Sequence, residues 1–72
     1  MKTIAINIII DGIDYISDYI DRTEGEMSIL TARVELAVEG GLNFLYFECA
    51  NKTYYFGKEL LKKAIITLVE KK

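Results

Sequence analysis

The chain has no proline, no histidine and no tryptophan, and its 72 residues include a single cysteine. One cysteine excludes the internal disulfides that usually support small secreted domains. Without histidine, no side chain titrates near neutral pH unless it is perturbed, and no imidazole is present for a metal site or as the base beside a nucleophile. We therefore expect a non-enzymatic cytoplasmic protein that holds no cofactor and no metal.

The hydrophobic residues make up 51% of the chain, which is far too many for a disordered segment. The length allows one small domain, residues 1–72. A chain of this size buries only about 60% of the surface that it exposes when unfolded, so self-association is a common source of added stability. The apolar run at residues 3–10 is too short to span a bilayer, and we expect no membrane partner.

The net charge of −2 is unevenly distributed. Residues 1–48 contain nine acidic and three basic side chains, whereas residues 49–72 contain six basic and two acidic ones. This asymmetry is informative about binding partners and says little about the fold.

Four segments alternate apolar residues with others, and a period of two predicts β-strands. These segments are residues 3–10, 29–38, 42–50 and 53–56. Gly40-Gly41 follows the second segment, and two glycines suit a tight hairpin because both can take positive φ. A second turn at Asn51-Lys52 would complete an antiparallel meander.

Two further segments have helical spacing. In residues 12–22, Ile13, Ile16 and Ile20 would share one face of a helix, and residues 58–71 carry a similar apolar stripe. The predicted fold is therefore α+β, with two amphipathic helices and the order βαβββα.

The predicted first helix would carry a row of carboxylates opposite its apolar face. Such a row, at intervals of three or four residues, can imitate a nucleic-acid backbone and occupy a basic groove on a partner, although most charged faces are merely solvated. The row consists of Asp11, Asp14, Asp18 and Asp21.

A second candidate surface is the face of the predicted meander that points away from the helices. Three aromatic residues among charges would form a platform for a protein partner, unless a helix or a second copy covers it. The members of this face are Arg33, Glu35, Phe44, Tyr46, Glu48 and Tyr55. In addition, Ile66 would lie on the polar face of the last helix, where contact with another copy could bury it.

These features favour a small binding protein that acts by covering a partner's surface. Small size, an acidic N-terminal half and an absence of catalytic residues resemble phage or mobile-element inhibitors of host defence, such as anti-CRISPR and anti-restriction proteins. This is a resemblance of class, because no motif identifies a family.

Two alternatives depend on other residues. The order of three strands and a helix, ending in Lys58, Lys62 and Lys63, resembles the double-stranded-RNA-binding domain, whose last helix presents lysines to phosphates. The acidic first helix departs from that pattern, and direct nucleic-acid binding is the weaker expectation. The other alternative is a structural homo-oligomer, for which a homodimer is the simplest form.

Overall fold

A computed structural model describes residues 1–72 and contains six strands and two helices. The α+β class predicted from the sequence is confirmed, but the observed order is β-β-β-α-β-β-α-β and the predicted order βαβββα is wrong. The elements are β1 (Lys2–Ile10), β2 (Ile13–Ile16), β3 (Ile20–Arg22), α1 (Glu24–Glu39), β4 (Phe44–Cys49), β5 (Lys52–Gly57), α2 (Lys58–Leu61) and β6 (Ile65–Glu70).

Strand β1 is the centre of a four-stranded antiparallel sheet, as its run of β-branched residues favours. It pairs with β2 and β3 along one edge and with β6 along the other. The predicted strand at residues 3–10 is confirmed. Its alternation places one set of isoleucines in the core, namely Ile4, Ile6, Ile8 and Ile10.

The predicted helix at residues 12–22 is wrong, because this segment forms β2 and β3. Asp11 and Gly12 both have positive φ and make a tight turn that returns the chain beside β1. Residues 17–19 then lie opposite only two residues of β1, which is a β-bulge. The added residue shifts the phase of the apolar alternation, so a bulged strand imitates helical spacing.

The predicted strand at residues 29–38 is also wrong, because it lies inside helix α1. Thr23 and Glu26 form a capping box: the Thr23 side chain accepts from the Glu26 N–H, and the Glu26 carboxylate accepts from the Thr23 N–H. Gly40, at φ 83°, ends the helix in the left-handed conformation. The Gly40-Gly41 pair is thus a helix end rather than a hairpin turn.

Strands β4 and β5 form a hairpin at the predicted place. The strand predicted at 42–50 is confirmed with shorter ends, and the strand predicted at 53–56 is confirmed with one more residue at each end. The turn residues are Ala50 and Asn51, both at positive φ, rather than Asn51 and Lys52. Phe47 consequently pairs with Tyr54. The two faces of the hairpin are those expected, because a shift of two residues preserves the side-chain alternation.

The predicted helix at residues 58–71 is wrong beyond its first turn. Helix α2 ends at Leu61, and residues 65–70 form β6. Strand β6 is rich in β-branched residues and pairs with the central strand, and this tertiary pairing outweighs the helical spacing. Ile66 lies in β6, is half-buried and packs against the core. The expectation that it lies exposed on the polar face of a helix is therefore wrong.

The core forms where the hairpin and both helices close over the isoleucine face of β1. Leu30 and Ala37 contribute from α1, and Leu61 from α2. The hairpin supplies one face of each strand: Leu45, Phe47 and Phe56. Because this face is buried, the opposite face of the hairpin points away from the protein.

Candidate protein-binding surface

The four aspartates predicted to form an acidic row do not lie together in the fold. Asp11 sits in the first turn, where its carboxylate accepts from the Lys63 ammonium at 2.9 Å. Asp14 is an exposed residue of β2 opposite Ile9. Asp21 lies on β3 and accepts a hydrogen bond from the Thr3 hydroxyl. The row depended on a helix that does not form, so its geometry is lost.

Asp18 has a structural role in the bulge. Its backbone N–H donates to the Glu48 carbonyl at 2.9 Å, and its carboxylate accepts from the Ala50 N–H at 3.2 Å. Ser17 supports this bulge from within the sheet: it is 6% exposed, and its hydroxyl accepts from the Ile6 N–H at 2.8 Å. The two bonds of Asp18 join the four-stranded sheet to the hairpin at one end.

The outer face of the hairpin carries three exposed aromatic side chains, Phe44, Tyr46 and Tyr55, which we call the aromatic patch. Their exposed fractions are 47%, 47% and 68%. Tyr46 lies directly opposite Tyr55 in the strand register, with ring centroids 5.8 Å apart. Phe44 is 6.3 Å from Tyr46 and 6.2 Å from Tyr55. The structure therefore brings together the aromatic residues that the sequence places on one face.

Charged residues border the aromatic patch. The Arg33 guanidinium lies 5.9 Å from the centre of the Tyr46 ring, which is within the range of a cation–π interaction. Arg33 reaches the patch from helix α1 and not from a neighbouring strand. Glu48 is exposed on the same face of β4. Glu35 is exposed on α1 and does not belong to the sheet face to which the sequence assigned it.

A groove of about 350 Å³ lies beside the aromatic patch. It is lined by Tyr46 of the patch and by the bordering Arg33 and Glu48. Strands β3 and β4 are not paired with each other along this groove, and the Asp18–Glu48 backbone bond joins them at one end. The groove has an apolar floor and a charged rim. Its floor includes Ile6, Leu30, Leu45 and Phe47, and its rim includes Arg22, Glu26, Arg33 and Glu48.

Two charged residues of the groove rim, Glu26 and Arg22, have distinctive surroundings. The hydrogen bond from the Thr23 backbone N–H lowers the pKa of Glu26, with further contributions from the Thr23 side chain and from the nearby charge of Arg22. Glu26 is therefore anionic under ordinary conditions. The Nε of Arg22 is buried and has no hydrogen-bond partner within the chain. Two guanidinium groups and two carboxylates thus surround an apolar floor.

Sequence reasoning missed the contribution of helix α1 to this region. Ile29 is 65% exposed and lines the groove, and Ile20 lines it from β3. The signal for the helix was present, since Met27, Leu30, Val34 and Ala37 have the spacing of one helical face. That stripe leaves Ile29 outside the core.

No cluster of three or more cysteine, aspartate or glutamate side chains is arranged to hold a metal ion. None of the helices has the length and apolarity needed to cross a membrane. Comparison with models of protein families, with curated proteins and with solved structures found no match to this chain.

Proposed function

We propose that the chain is a small, non-enzymatic binding protein that acts by covering the surface of a protein partner. The aromatic patch is its contact area. The observation that carries the proposal is the grouping of Phe44, Tyr46 and Tyr55 on one outward face, with Arg33 against Tyr46.

The chemistry of the patch suits a protein interface. Tyrosine and arginine are enriched among the residues that dominate binding energy, because each combines a large contact area with a hydrogen-bonding group. The patch is held on a hairpin whose other face is buried, so its side chains lose little backbone freedom when a partner binds. The mixed charges of Arg33 and Glu48 would select the orientation of the partner.

The kind of partner follows from what the fold retains. The dispersal of the four aspartates removes the reason to propose a nucleic-acid groove as the contact, whereas the aromatic patch supports a protein surface. An inhibitor of a host defence complex, carried by a phage or another mobile element, fits this mode of action because a short chain can block a larger assembly by occlusion. We propose a cytoplasmic location on the same basis.

Comparative capture from native host lysate tests this proposal. The baits are the unmodified chain and the Tyr46→Ala and Tyr55→Ala variants. The matched control is Tyr19→Ala, since Tyr19 is 42% exposed and lies beside Lys71, outside the patch. We expect a protein that the unmodified chain and the Tyr19→Ala control both retain and that the two patch variants lose.

The affinity of the captured protein then quantifies the effect. Removal of a tyrosine at the centre of an interface costs about 2 kcal/mol or more, which is at least a thirtyfold loss of affinity. Equal binding by all four baits would contradict the proposal. So would loss of binding by the Tyr19→Ala control alone.

A further inference from the structure

Strand β6 forms an open edge of the four-stranded sheet. Alternate residues of an antiparallel strand direct their N–H and C=O groups to the same neighbour. The Lys71 N–H donates to the Thr3 carbonyl of β1 at 2.9 Å, so the odd-numbered residues of β6 face β1. The backbone groups of Ile66, Leu68 and Glu70 therefore point away from the sheet, and nothing in the chain pairs with them.

The other edge of the same sheet is interrupted, whereas β6 is continuous and has lysines only beyond its two ends. Strands β2 and β3 are four and three residues long and are separated by the bulge at residues 17–19. Short strands and bulges are the usual devices that prevent edge-to-edge association. Strand β6 has six residues with no proline, no glycine and no bulge, and Ile65 at its start is 61% exposed.

We propose that β6 pairs antiparallel with β6 of a second copy of this chain. A two-fold axis perpendicular to the sheet then joins the two sheets into one continuous sheet with β6 and its copy at the centre. This site lies on the sheet and not on the hairpin, so it is independent of the aromatic patch.

Hydrogen bonding and charge favour a register centred on Leu68 over one centred on Thr67. With Leu68 opposite the second copy's Leu68, the three outward residues of each copy pair with one another and all of their N–H and C=O groups are satisfied. A register centred on Thr67 would set Lys63 opposite Lys71 of the second copy and leave Glu70 without a strand residue as partner. Like charges directly opposite each other are destabilising.

The surface of the chain is slightly larger than that of a typical monomer of its size. A monomer of 8.2 kDa is expected to expose about 4,500 Å², and the chain exposes 4975 Å². Apolar side chains also remain on the outer face of the sheet, including Ile16, Ile65 and the half-buried Val69. Pairing of two β6 strands makes this outer face continuous across the axis.

Sedimentation equilibrium and amide hydrogen exchange on the unmodified full chain test the proposal together. We expect a mass of twice 8.2 kDa at high protein concentration. Under those conditions the amides of Ile66, Leu68 and Glu70 should exchange about a hundredfold more slowly than in the dilute monomer. In an isolated chain these three amides have no acceptor and exchange quickly.

A proline substitution in β6 tests whether the dimer forms through this edge or through another surface of the chain. Glu70→Pro removes an outward N–H but none that β1 uses, and the extended Val69 before it is compatible with proline. Two intermolecular bonds are lost per dimer, so the dissociation constant should rise roughly thirtyfold. The matched control Glu70→Ala keeps the N–H and should dimerise like the unmodified chain.

Three results would overturn the proposal. The first is a mass of 8.2 kDa at every concentration. The second is a dimer in which the Leu68 amide exchanges as in the monomer, which would place the contact elsewhere. The third is equal dimerisation by the Glu70→Pro and Glu70→Ala variants. If Glu70→Pro does not fold, the exchange rate of the Leu68 amide in the unmodified chain decides the question.

Discussion

Removal of the Ser17 hydroxyl should destabilise the protein. This hydroxyl is the acceptor for the Ile6 N–H at 2.8 Å and donates to the Asp18 carbonyl at 3.0 Å. Ser17 is 6% exposed and Ile6 is 3% exposed, so the Ser17→Ala variant leaves the Ile6 N–H largely screened from water. The Ile6 N–H, in the central strand, would then be buried without a partner.

The expected loss can be estimated from these contacts. A buried donor without a partner costs about 1–3 kcal/mol. The total stability of a chain of this length is about 4–11 kcal/mol. A loss of about 2 kcal/mol would lower the Tm of a small domain by about 8–16 °C. The bulge would also hold Asp18 less firmly, which weakens the link between the sheet and the hairpin.

Thermal and urea denaturation followed by circular dichroism measure this effect at one fixed protein concentration. The control is Ser28→Ala, because Ser28 is exposed on α1 and its side chain makes no hydrogen bond within the chain. We expect the control to remain within about 0.5 kcal/mol of the unmodified chain. A Ser17→Ala variant as stable as this control would refute the role assigned to the hydroxyl.

Three further predictions concern stability. The pKa of Glu26 is lowered in the folded state, so the contribution of its carboxylate to the free energy of unfolding is fully present above the ordinary glutamate range and is lost as the pH falls through the folded-state pKa. The Glu26→Gln variant should therefore flatten this part of a plot of stability against pH. An unchanged plot would contradict the capping box. The Phe56→Ala substitution should lower the free energy of unfolding by about 3–5 kcal/mol, because the ring is 4% exposed. The Phe44→Ala substitution, on the aromatic patch, should lower it by about 1 kcal/mol. Equal losses in urea denaturation would show that the hairpin faces are misassigned. The Gly40→Ala substitution should lower the free energy of unfolding by about 1–2 kcal/mol, since the added Cβ contacts nothing and only the positive φ opposes it. The control substitution Gly57→Ala, at φ −74°, should not destabilise the protein.

The fold class and the hairpin could be predicted from the sequence because local and tertiary preferences agree there. Residues 3–10 are β-branched and alternate, and they form the central strand. The hairpin faces were predictable even with the wrong turn residues, because a register shift of two preserves which side chains share a face. The aromatic residues of the candidate surface were therefore grouped correctly.

The helix and strand assignments failed where two periods fit the same residues. Leu30, Val34 and Ala37 belong to a helical stripe, yet residues 29–38 also alternate. The capping box at Thr23 and Glu26 decides the outcome, and a hairpin at Gly40-Gly41 conflicts with it. Residues 12–22 failed for a different reason, because the bulge at Ser17 changes the phase of a strand and no single period describes it.

The predicted site residues lie together where the element that carries them was predicted correctly, and they are dispersed where it was not. Phe44, Tyr46 and Tyr55 depend only on the hairpin and lie together. Arg33 is close to Tyr46 through helix α1, whereas the sequence analysis placed Arg33 on a strand of the sheet. The acidic row depended wholly on the incorrect helix, and its residues are dispersed.

Site-specific photo-crosslinking tests the role of the aromatic patch most directly. A benzophenone amino acid replaces Tyr55 in one variant and Tyr19 in another, and each is irradiated with the captured partner. Tyr55 is 68% exposed at the centre of the proposed contact, whereas Tyr19 lies on the sheet outside it. We predict a covalent adduct from position 55 and none from position 19. An adduct from position 19 alone would contradict the assignment of the hairpin face as the binding surface.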